Sequence, residues 1–400
     1  MKIGIVTSWF ERGAAYVSRQ FMEVLQNTDE VYIYARGGEK YAIEDPKWNL
    51  PNVYWGKRTH FGNFYPTYIV KNDFIKWIKR EQIEVVFFNE QHYFSPVLWC
   101  KELGIKTVAY IDYYKEDTIP LFDIYDCLIC NTKRHHFAFR NHRNAQYIKW
   151  GTDLNIYRPN NEVHSKLVFF HSAGMGPGRK GTDIVIKSFF NAKLRKDALL
   201  LIHTQVSLEK FFPDLSEIIT LLKKEGSLEI IEKTIPAPGL YYRGDIYVYP
   251  SRLDGLGLTL MEAIASGLPC ITVNNGPMNE FIEPSFGTLV NIDYYYSRSD
   301  GYYWPIGIAD EKQLSCAIDD YIENQGDIIS KKKAAREYAE KELDFKKNCS
   351  GLHDILTSTQ HGVIKADLKS RIKSYDRVLI NRIMYCFYQL YQPIKKLQRR

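Results

Sequence analysis

YPSRLDGLGLTLMEAIASGLPCITVNNGPMNE, from Tyr249 to Glu280, decides the fold of this chain. Ile246, Tyr247 and Val248 precede it, so IYVYP reads as the tail of a buried strand, β-branched and aromatic. At Gly255 and Gly257 the backbone turns tightly and comes close to a ligand with no Cβ in the way. Leu258, Leu260, Met261, Ile264 and Ala265 then recur at helical spacing, which predicts a helix whose first turn sits beside the glycines. A helix N-terminus carries unpaired N–H groups and the positive end of a dipole, which is what a phosphate requires. Asp254 stands before the turn and Glu262 eight residues later, inside the helix. That spacing suits two carboxylates gripping sugar hydroxyls around a bound diphosphate.

Outward from this stretch, strands and helices alternate, the pattern of parallel sheets covered by helices on both faces. In the first half, strands are expected at Lys2–Ser8, Val31–Ala35, Val85–Phe88, Lys106–Ile111 and Asp126–Asn131, with helices at Ala15–Leu25, Tyr68–Lys79 and Phe94–Leu103. IKWGTDLNIYRPNNEVHSK (Ile148 to Lys166) breaks the alternation with Gly, Pro and Asn and reads as a link between domains. A second unit follows, with strands at Leu167–Ser172, Leu199–Thr204 and Leu228–Ile231 and helices at Asp183–Ala192 and Leu215–Lys223. The expected domains are 1–155 and 156–330, then a helix at 331–358 within the helical run from Glu311 to Leu356, then a basic tail at 359–400.

HSAGMGPGRKG (His171 to Gly181) spells G-x-G-x-x-G at Gly176, Gly178 and Gly181, the dinucleotide fingerprint. A nicotinamide site also wants an acid at the end of the next strand. LLLIHTQ puts His203 and Thr204 there instead. A phosphate cradle is the better reading: the small residues admit close approach and Lys180 supplies charge.

Together these stretches resemble GT-B glycosyltransferases of the family-4 type (glycosyl transferases group 1), whose donor site reads PS-x-x-E-G-[FL]-G-L-x-x-x-E-A. The resemblance covers essentially residues 1–358. It implies two Rossmann-like doubly wound domains facing a central cleft, with C-terminal helices crossing back to the N-terminal domain. It implies that Glu262 binds the ribose of a sugar nucleotide and that Asp254 lies by the transferred sugar. The turn Gly255, Leu256, Gly257 and Leu258 would hold the sugar and diphosphate. Asp254 stands where most members carry Glu. Members have G-R…K-G in the other glycine segment. Lys180-Gly181 matches it, Gly178 and Arg179 accompany Lys180 in the nucleotide-binding set, and Met175 stands where the Arg usually does. W-G-T-D…Y-R-P, from Trp150 to Pro159, resembles the G-V-D…F-x-P segment that closes the first domain.

In FERGAAYVSRQF (Phe10 to Phe21), Gly13 and Ala14 are implied beside the donor phosphate and acceptor. Glu11 and Arg12 either orient an acceptor hydroxyl or form a solvated pair. At the end of VVFFNEQHYF (Val85 to Phe94), Asn89 takes the position where many members place a cleft His or acid, with Glu90 and His92 close by. Asn89 and His92 are the catalytic candidates of this half; a plain surface turn is the alternative. Asp112 and Asn131, each at a strand end, are either cleft or turn residues.

Four hundred residues suit two domains, and 45% apolar content is enough for two cores. Seven cysteines at irregular spacing form no disulfide framework. Cys127 and Cys130 lie in DCLIC, a strand pattern that turns neighbours to opposite faces, and no second C-x-x-C follows, so buried thiols of a reducing cytoplasm are expected rather than zinc. MKIGIVTSW begins directly on a strand, with no signal peptide, and no apolar run of about eighteen residues occurs. A cytoplasmic protein, peripheral on the inner face of a membrane, is the expectation. From Lys369 to Arg400 there are nine Lys or Arg against one Asp, so this tail holds more than the whole +6 net charge. Ile372, Tyr375, Leu379, Ile383, Phe387 and Leu390 follow helical spacing within it. The tail is thus a basic amphipathic helix for an anionic membrane surface, or a helix docked on another domain with its basic face in water. Nucleic acid is not expected, because the remainder is slightly acidic and matches no binding motif.

The expected reaction is transfer of a sugar from a nucleotide-diphosphate sugar to a hydroxyl of a glycan or lipid-linked acceptor, in surface polysaccharide or glycolipid synthesis. Lys180, the glycine-turn amides and a helix dipole would stabilise the leaving diphosphate. No D-x-D motif stands out at a strand end, so no metal or other cofactor is expected. Retention of configuration is implied by the resemblance alone. The alternatives are a sugar-nucleotide epimerase of the same fold and a catalytically silent nucleotide-binding or membrane scaffold.

Overall fold

A computed structural model describes residues 1–37, 40–59, 62, 65–160, 162 and 164–397, with side chains as far as residue 382. Ile383, Phe387 and Leu390 of the tail lie outside the described side chains. The chain divides into two compact units. The first comprises Met1–Asn131, His135–Ile148 and Cys349–Arg400; the second comprises Thr132–Arg134 and Lys149–Asn348. Both are Rossmann-like.

In the first unit, β1 (Lys2–Thr7), β2 (Glu30–Ala35), β3 (Val53–Trp55), β4 (Val85–Asn89), β5 (Lys106–Tyr110), β6 (Cys127–Cys130) and β7 (Ala145–Tyr147) form one parallel sheet in the order β3-β2-β1-β4-β5-β6-β7. VVFFN of β4 and CLIC of β6 are buried at every position. Helices cover both faces of a parallel sheet, so its central strands are continuous apolar runs rather than alternating ones. The three-residue edge strands β3 and β7, half-exposed apart from the exposed Tyr147, carry too little pattern to be read in advance. Chain order reverses between β1 and β4, which opens a crevice at their carboxyl ends. Helix Gly13–Leu25 leaves β1 at that point and buries Ala14, Ala15, Val17, Phe21, Met22 and Leu25.

The C-terminal segment also belongs to this unit. Helix Ala366–Leu397 buries Leu368 and Ile372, and Tyr375 meets Phe94 edge-on. Asp376, 3% exposed, accepts from the Phe94 amide at 3.1 Å, the Ser95 amide at 2.7 Å and the Ser95 hydroxyl at 2.6 Å. These are orphan donors at the start of helix Ser95–Glu102, so a carboxylate from a distant helix supplies the cap that its own N-cap, Phe94, does not.

In the second unit, β8 (Leu167–Gly174), β9 (Ala198–Thr204), β10 (Leu228–Glu232), β11 (Ile246–Tyr249), β12 (Cys270–Val273) and β13 (Gly287–Val290) run in the order β10-β9-β8-β11-β12-β13, all parallel. β14 (Ile292–Tyr296) and β15 (Ile306–Ala309) form a separate antiparallel pair. The reversal here falls between β8 and β11, the strands that feed the two glycine segments. His171 joins them: one ring nitrogen meets the Val248 carbonyl and the other the Thr182 hydroxyl, each at 2.8 Å. Burial holds this imidazole down to about 4, so it is neutral at pH 7. Helix Ile328–Glu342 stays with this unit, where Arg336 donates to the Ala265 carbonyl at 2.8 Å. The link residue Thr152 pairs with Leu343 through its amide at 2.8 Å, and the chain re-enters the first unit at Cys349.

Candidate functional site

Each unit gathers its polar candidates at its own switch point. In the second unit, Tyr249 ends β11 and the loop after it carries Asp254; helix Pro177–Lys180, just beyond β8, carries Arg179 and Lys180. The Asp254 carboxylate accepts from Lys180 Nζ at 2.7 Å and from Arg179 Nη1 at 3.0 Å, both at Oδ2, and from the Tyr249 hydroxyl. Its other oxygen faces the amides of Leu256 at 3.4 Å and Gly257 at 3.2 Å. Burial alone would raise this carboxyl, but Lys180 and Arg179 hold it well below the ordinary carboxylate range. Two cations around one anion leave a net positive charge, and all three side chains reach it from within one unit.

Gly257 is the N-cap of helix Leu258–Ala265 at φ +81°, a left-handed conformation that costs a side chain about 1–2 kcal/mol. No side chain caps this helix start, and a Cβ added at Gly255 or Gly257 would meet nothing within 4 Å. At both glycines the space a side chain would take is open. Gly181 is constrained differently. It has φ +73°, and a Cβ there would stand 2.3 Å from the Pro250 carbonyl. The glycine lets the Lys180 segment press against the end of β11, which is how Lys180 comes to reach Asp254.

Glu262 points from the helix to the Tyr241 hydroxyl, 2.6 Å away. Burial raises its carboxyl, opposed by hydrogen bonds from Tyr241 and Tyr157 and by the charge of Lys180. Gly178 lies under the half-exposed ring of Phe211, which a Cβ would approach to 3.2 Å. Met175 is 77% exposed. Arg179 does not stand at that position, yet its guanidinium converges with Lys180 on the same carboxylate. At the end of β9, His203 bonds the Lys233 carbonyl at 2.9 Å and Thr204 the Val206 carbonyl at 2.8 Å, so the position a nicotinamide site fills with an acid is occupied by backbone contacts.

In the first unit, Asn89 is fully buried. Its amide donates to the Ala14 carbonyl at 2.9 Å and to the Ser18 hydroxyl at 2.7 Å, tying β4 to the start of helix Gly13–Leu25. It fixes Gly13 and Ala14 in place and is itself withdrawn into the packing. Glu90 follows at φ +52°, uncommon for a residue with a side chain. Arg36, 2% exposed, holds that backbone by donating to the carbonyls of Asn89 at 3.1 Å and Glu90 at 2.6 Å. Arg12 pairs with Glu90 at 2.9 Å, whereas Glu11 pairs with Lys47 at 3.0 Å, so the two neighbours serve different partners. Burial first, then the Glu90 charge and a hydrogen bond to it, raise the Asp112 carboxyl well above its ordinary range. Burial, helped by Arg36, Arg12 and Lys115, pushes His92 down to about 3, so its ring is neutral at pH 7 and lies edge-on to Tyr113. Asn131 is buried and donates to the Ile148 carbonyl at 3.3 Å.

Arg36, Tyr241, Tyr249 and Phe211 belong to these clusters and were not singled out from sequence. Tyr249 stands in a recognised motif but read there as a strand aromatic, and Tyr241 lies before it, outside any motif. Arg36 follows an apolar strand as any surface basic residue does. Among the described residues no group of three or more His, Cys, Asp or Glu side chains is placed to hold a metal ion, and no helix is long and apolar enough to cross a membrane.

Residues 155–342 match the family described as glycosyl transferases group 1. No curated protein matches the sequence. Among solved structures, HepE (Alr3699) of Anabaena, in complex with UDP and glucose, is similar at a TM-score of 0.69 and 17% identity, over 90% of this chain and 100% of that one. A glycosyltransferase from Rickettsia africae has a TM-score of 0.67 and 16% identity, over 94% and 98%. WaaG, a glycosyltransferase involved in lipopolysaccharide biosynthesis, has a TM-score of 0.63 and 15% identity, over 90% and 100%. At these identities the structural likeness speaks to the fold, which is that of the GT-B enzymes.

Proposed function

From the match of residues 155–342 to the glycosyl transferases group 1 family, we propose that this chain transfers a sugar from a nucleotide-diphosphate sugar to an acceptor hydroxyl. The observation that carries this reading is the convergence of Lys180, Arg179 and the open glycine turn on Asp254, with Glu262 in the helix that follows. A diphosphate brings at least two negative charges, and the two cations, the turn amides and the helix start supply a counter-field fixed before reaction. That field is the ground for proposing that transfer needs no divalent ion. Glu262, accepting from Tyr241 and Tyr157, is assigned to the ribose hydroxyls, and Asp254 to the transferred sugar. In the retaining course, the bond from the anomeric carbon to the phosphate oxygen breaks as the acceptor oxygen bonds on the same face. The acceptor proton passes to the departing phosphate oxygen.

The complexes of HepE with UDP and with UDP-glucose support a uridine diphosphate sugar as the first donor to try. The role of WaaG supports an acceptor in surface polysaccharide or glycolipid synthesis. The tail contributes a membrane contact to this reading. Asp376, the one acid from Lys369 onward, is consumed in capping helix Ser95–Glu102, so the exposed charges from Arg371 to Arg382 are all basic. Product analysis tests the reaction: the wild type should convert donor to glycosylated acceptor, while Lys180→Ala and Glu262→Ala fold normally and fail. Near-native turnover in either variant would count against the assignment.

A further inference from the structure

The hairpin β14–β15 takes no part in the chemistry above. Its first strand, IDYYY, exposes three tyrosines in a row: Tyr294, Tyr295 and Tyr296 are 55%, 52% and 45% exposed. Alternate residues of a strand share a face. Tyr294 and Tyr296 do so, with ring centroids 6.4 Å apart and planes 33° from parallel. Across the hairpin they pair with Ile308 and Ile306, neighbours that restrict the two rings.

This strand pair is continuous with the candidate site. The Gly307 amide donates to the Arg252 carbonyl at 3.0 Å, two residues before Asp254. Arg134, part of the same unit, lies 4.8 Å from the centre of the Trp304 ring, between the two strands in sequence, and donates to the Asp254 carbonyl at 3.0 Å. The hairpin that carries the patch is thus tied by its backbone to the loop that carries Asp254.

Its chemistry narrows the partner. Each tyrosine offers a flat apolar face and a hydroxyl at its rim. A pyranose offers the complement, a C–H face bordered by hydroxyls. Two rings side by side on one face accommodate two consecutive sugars.

We propose that Tyr294 and Tyr296 form a saccharide platform beside the site, holding two consecutive sugars of an extended acceptor glycan. The word acceptor rests on the glycosyltransferase reading; the platform itself is a binding claim. The test is calorimetric titration of the full chain with linear gluco-, galacto- and manno-oligosaccharides of one to five residues. The comparison is with Tyr294→Ala/Tyr296→Ala and with Tyr295→Ala, all three sites being exposed. One series should bind more tightly from the disaccharide upward, and the double variant should lose about tenfold in affinity, two aromatic contacts together. Tyr295→Ala, on the alternate position, should bind like the wild type. Equal binding by the double variant overturns the platform. So does a wild type that binds none of these saccharides while still transferring sugar, an outcome that leaves the proposed reaction standing. Saccharide binding lost in the double variant, in a chain that never turns over a nucleotide sugar, sustains the platform and removes the reaction. If the double variant instead loses binding to phosphatidylglycerol vesicles and keeps saccharide binding, the patch is a lipid contact and the proposal fails.

Discussion

Replacing Asp254 with Asn keeps the side chain's shape and removes its charge. In the native chain that carboxylate sits between Lys180 Nζ at 2.7 Å and Arg179 Nη1 at 3.0 Å, with its side chain 14% exposed and that of Lys180 12% exposed. Removing one partner of a buried ion pair costs about 3–5 kcal/mol, because the other charge is left uncompensated. Arg179 is 48% exposed and water takes up part of its charge, so the low end, about 3 kcal/mol, is expected at pH 7. At a urea m-value of about 1–3 kcal/mol/M this moves the midpoint of the second unit down by at least about 1 M. The pH dependence follows from the depressed carboxyl. A group whose folded pKa lies below its unfolded value binds fewer protons when folded. Its contribution is complete above the unfolded value, near 3.9, and is lost as pH falls through the folded one. Urea unfolding of wild type and Asp254→Asn at pH 7, 5, 3 and 2, followed by circular dichroism, should therefore give curves that differ at pH 7 and 5 and converge at the acid end. Equal stability at pH 7, or a gap that persists unchanged to pH 2, would refute the ion-pair account.

Other outcomes follow from the same geometry. Gly181→Ala combines a left-handed φ with a clash at the Pro250 carbonyl, so it should lower stability by at least about 2 kcal/mol. The equivalent change at Gly257, which has open space, should cost only about 1–2 kcal/mol, and thermal unfolding of the two variants gives the comparison. Glu262→Gln keeps a partner for Tyr241 but removes the charge, and should weaken nucleotide-sugar binding by about tenfold or more, read by calorimetry. Asp376→Ala strips the cap from helix Ser95–Glu102. Amides of 366–382 should then exchange with deuterium faster by at least about fivefold while those of β4 stay protected.

How much of this was legible in advance differs between the units. The glycine-turn motif could be picked out from sequence because its parts are local. Gly255, Gly257, Asp254 and Glu262 lie within nine residues, and glycine has few uses at a strand-to-helix turn. Lys180 was readable for the same reason, as the charge in a glycine segment. What stayed hidden is the pairing across the switch point. Nothing in the spacing from residue 179 to 254 shows that Arg179 and Lys180 both turn to Asp254, or that Gly181 is glycine because of Pro250. The first unit was harder still. Asn89 stands at a strand end, where polarity points to a ligand as readily as to a cap, and its amide is spent on Ala14 and Ser18. Glu90, Asp112, Arg12 and Arg36 come from four places in the chain and meet only through the strand order. The tail offered membrane and docking readings. Leu368, Ile372 and Asp376 pack in the first unit, whereas Val363 stays exposed, a choice made by the surface they meet and not by the tail's own pattern.

The most direct test is a thermal-shift titration of purified chain against UDP-, GDP-, ADP- and dTDP-sugars, with NAD(P)H alongside and Lys180→Ala as control. A ligand at a hundred times its Kd stabilises the native state by about 2.7 kcal/mol, a rise of several degrees for a unit of this size. That rise is expected with one class of nucleotide sugar, not with NAD(P)H, and should be lost in Lys180→Ala. A shift with NAD(P)H alone, or an equal nucleotide-sugar shift in Lys180→Ala, would contradict the proposed function.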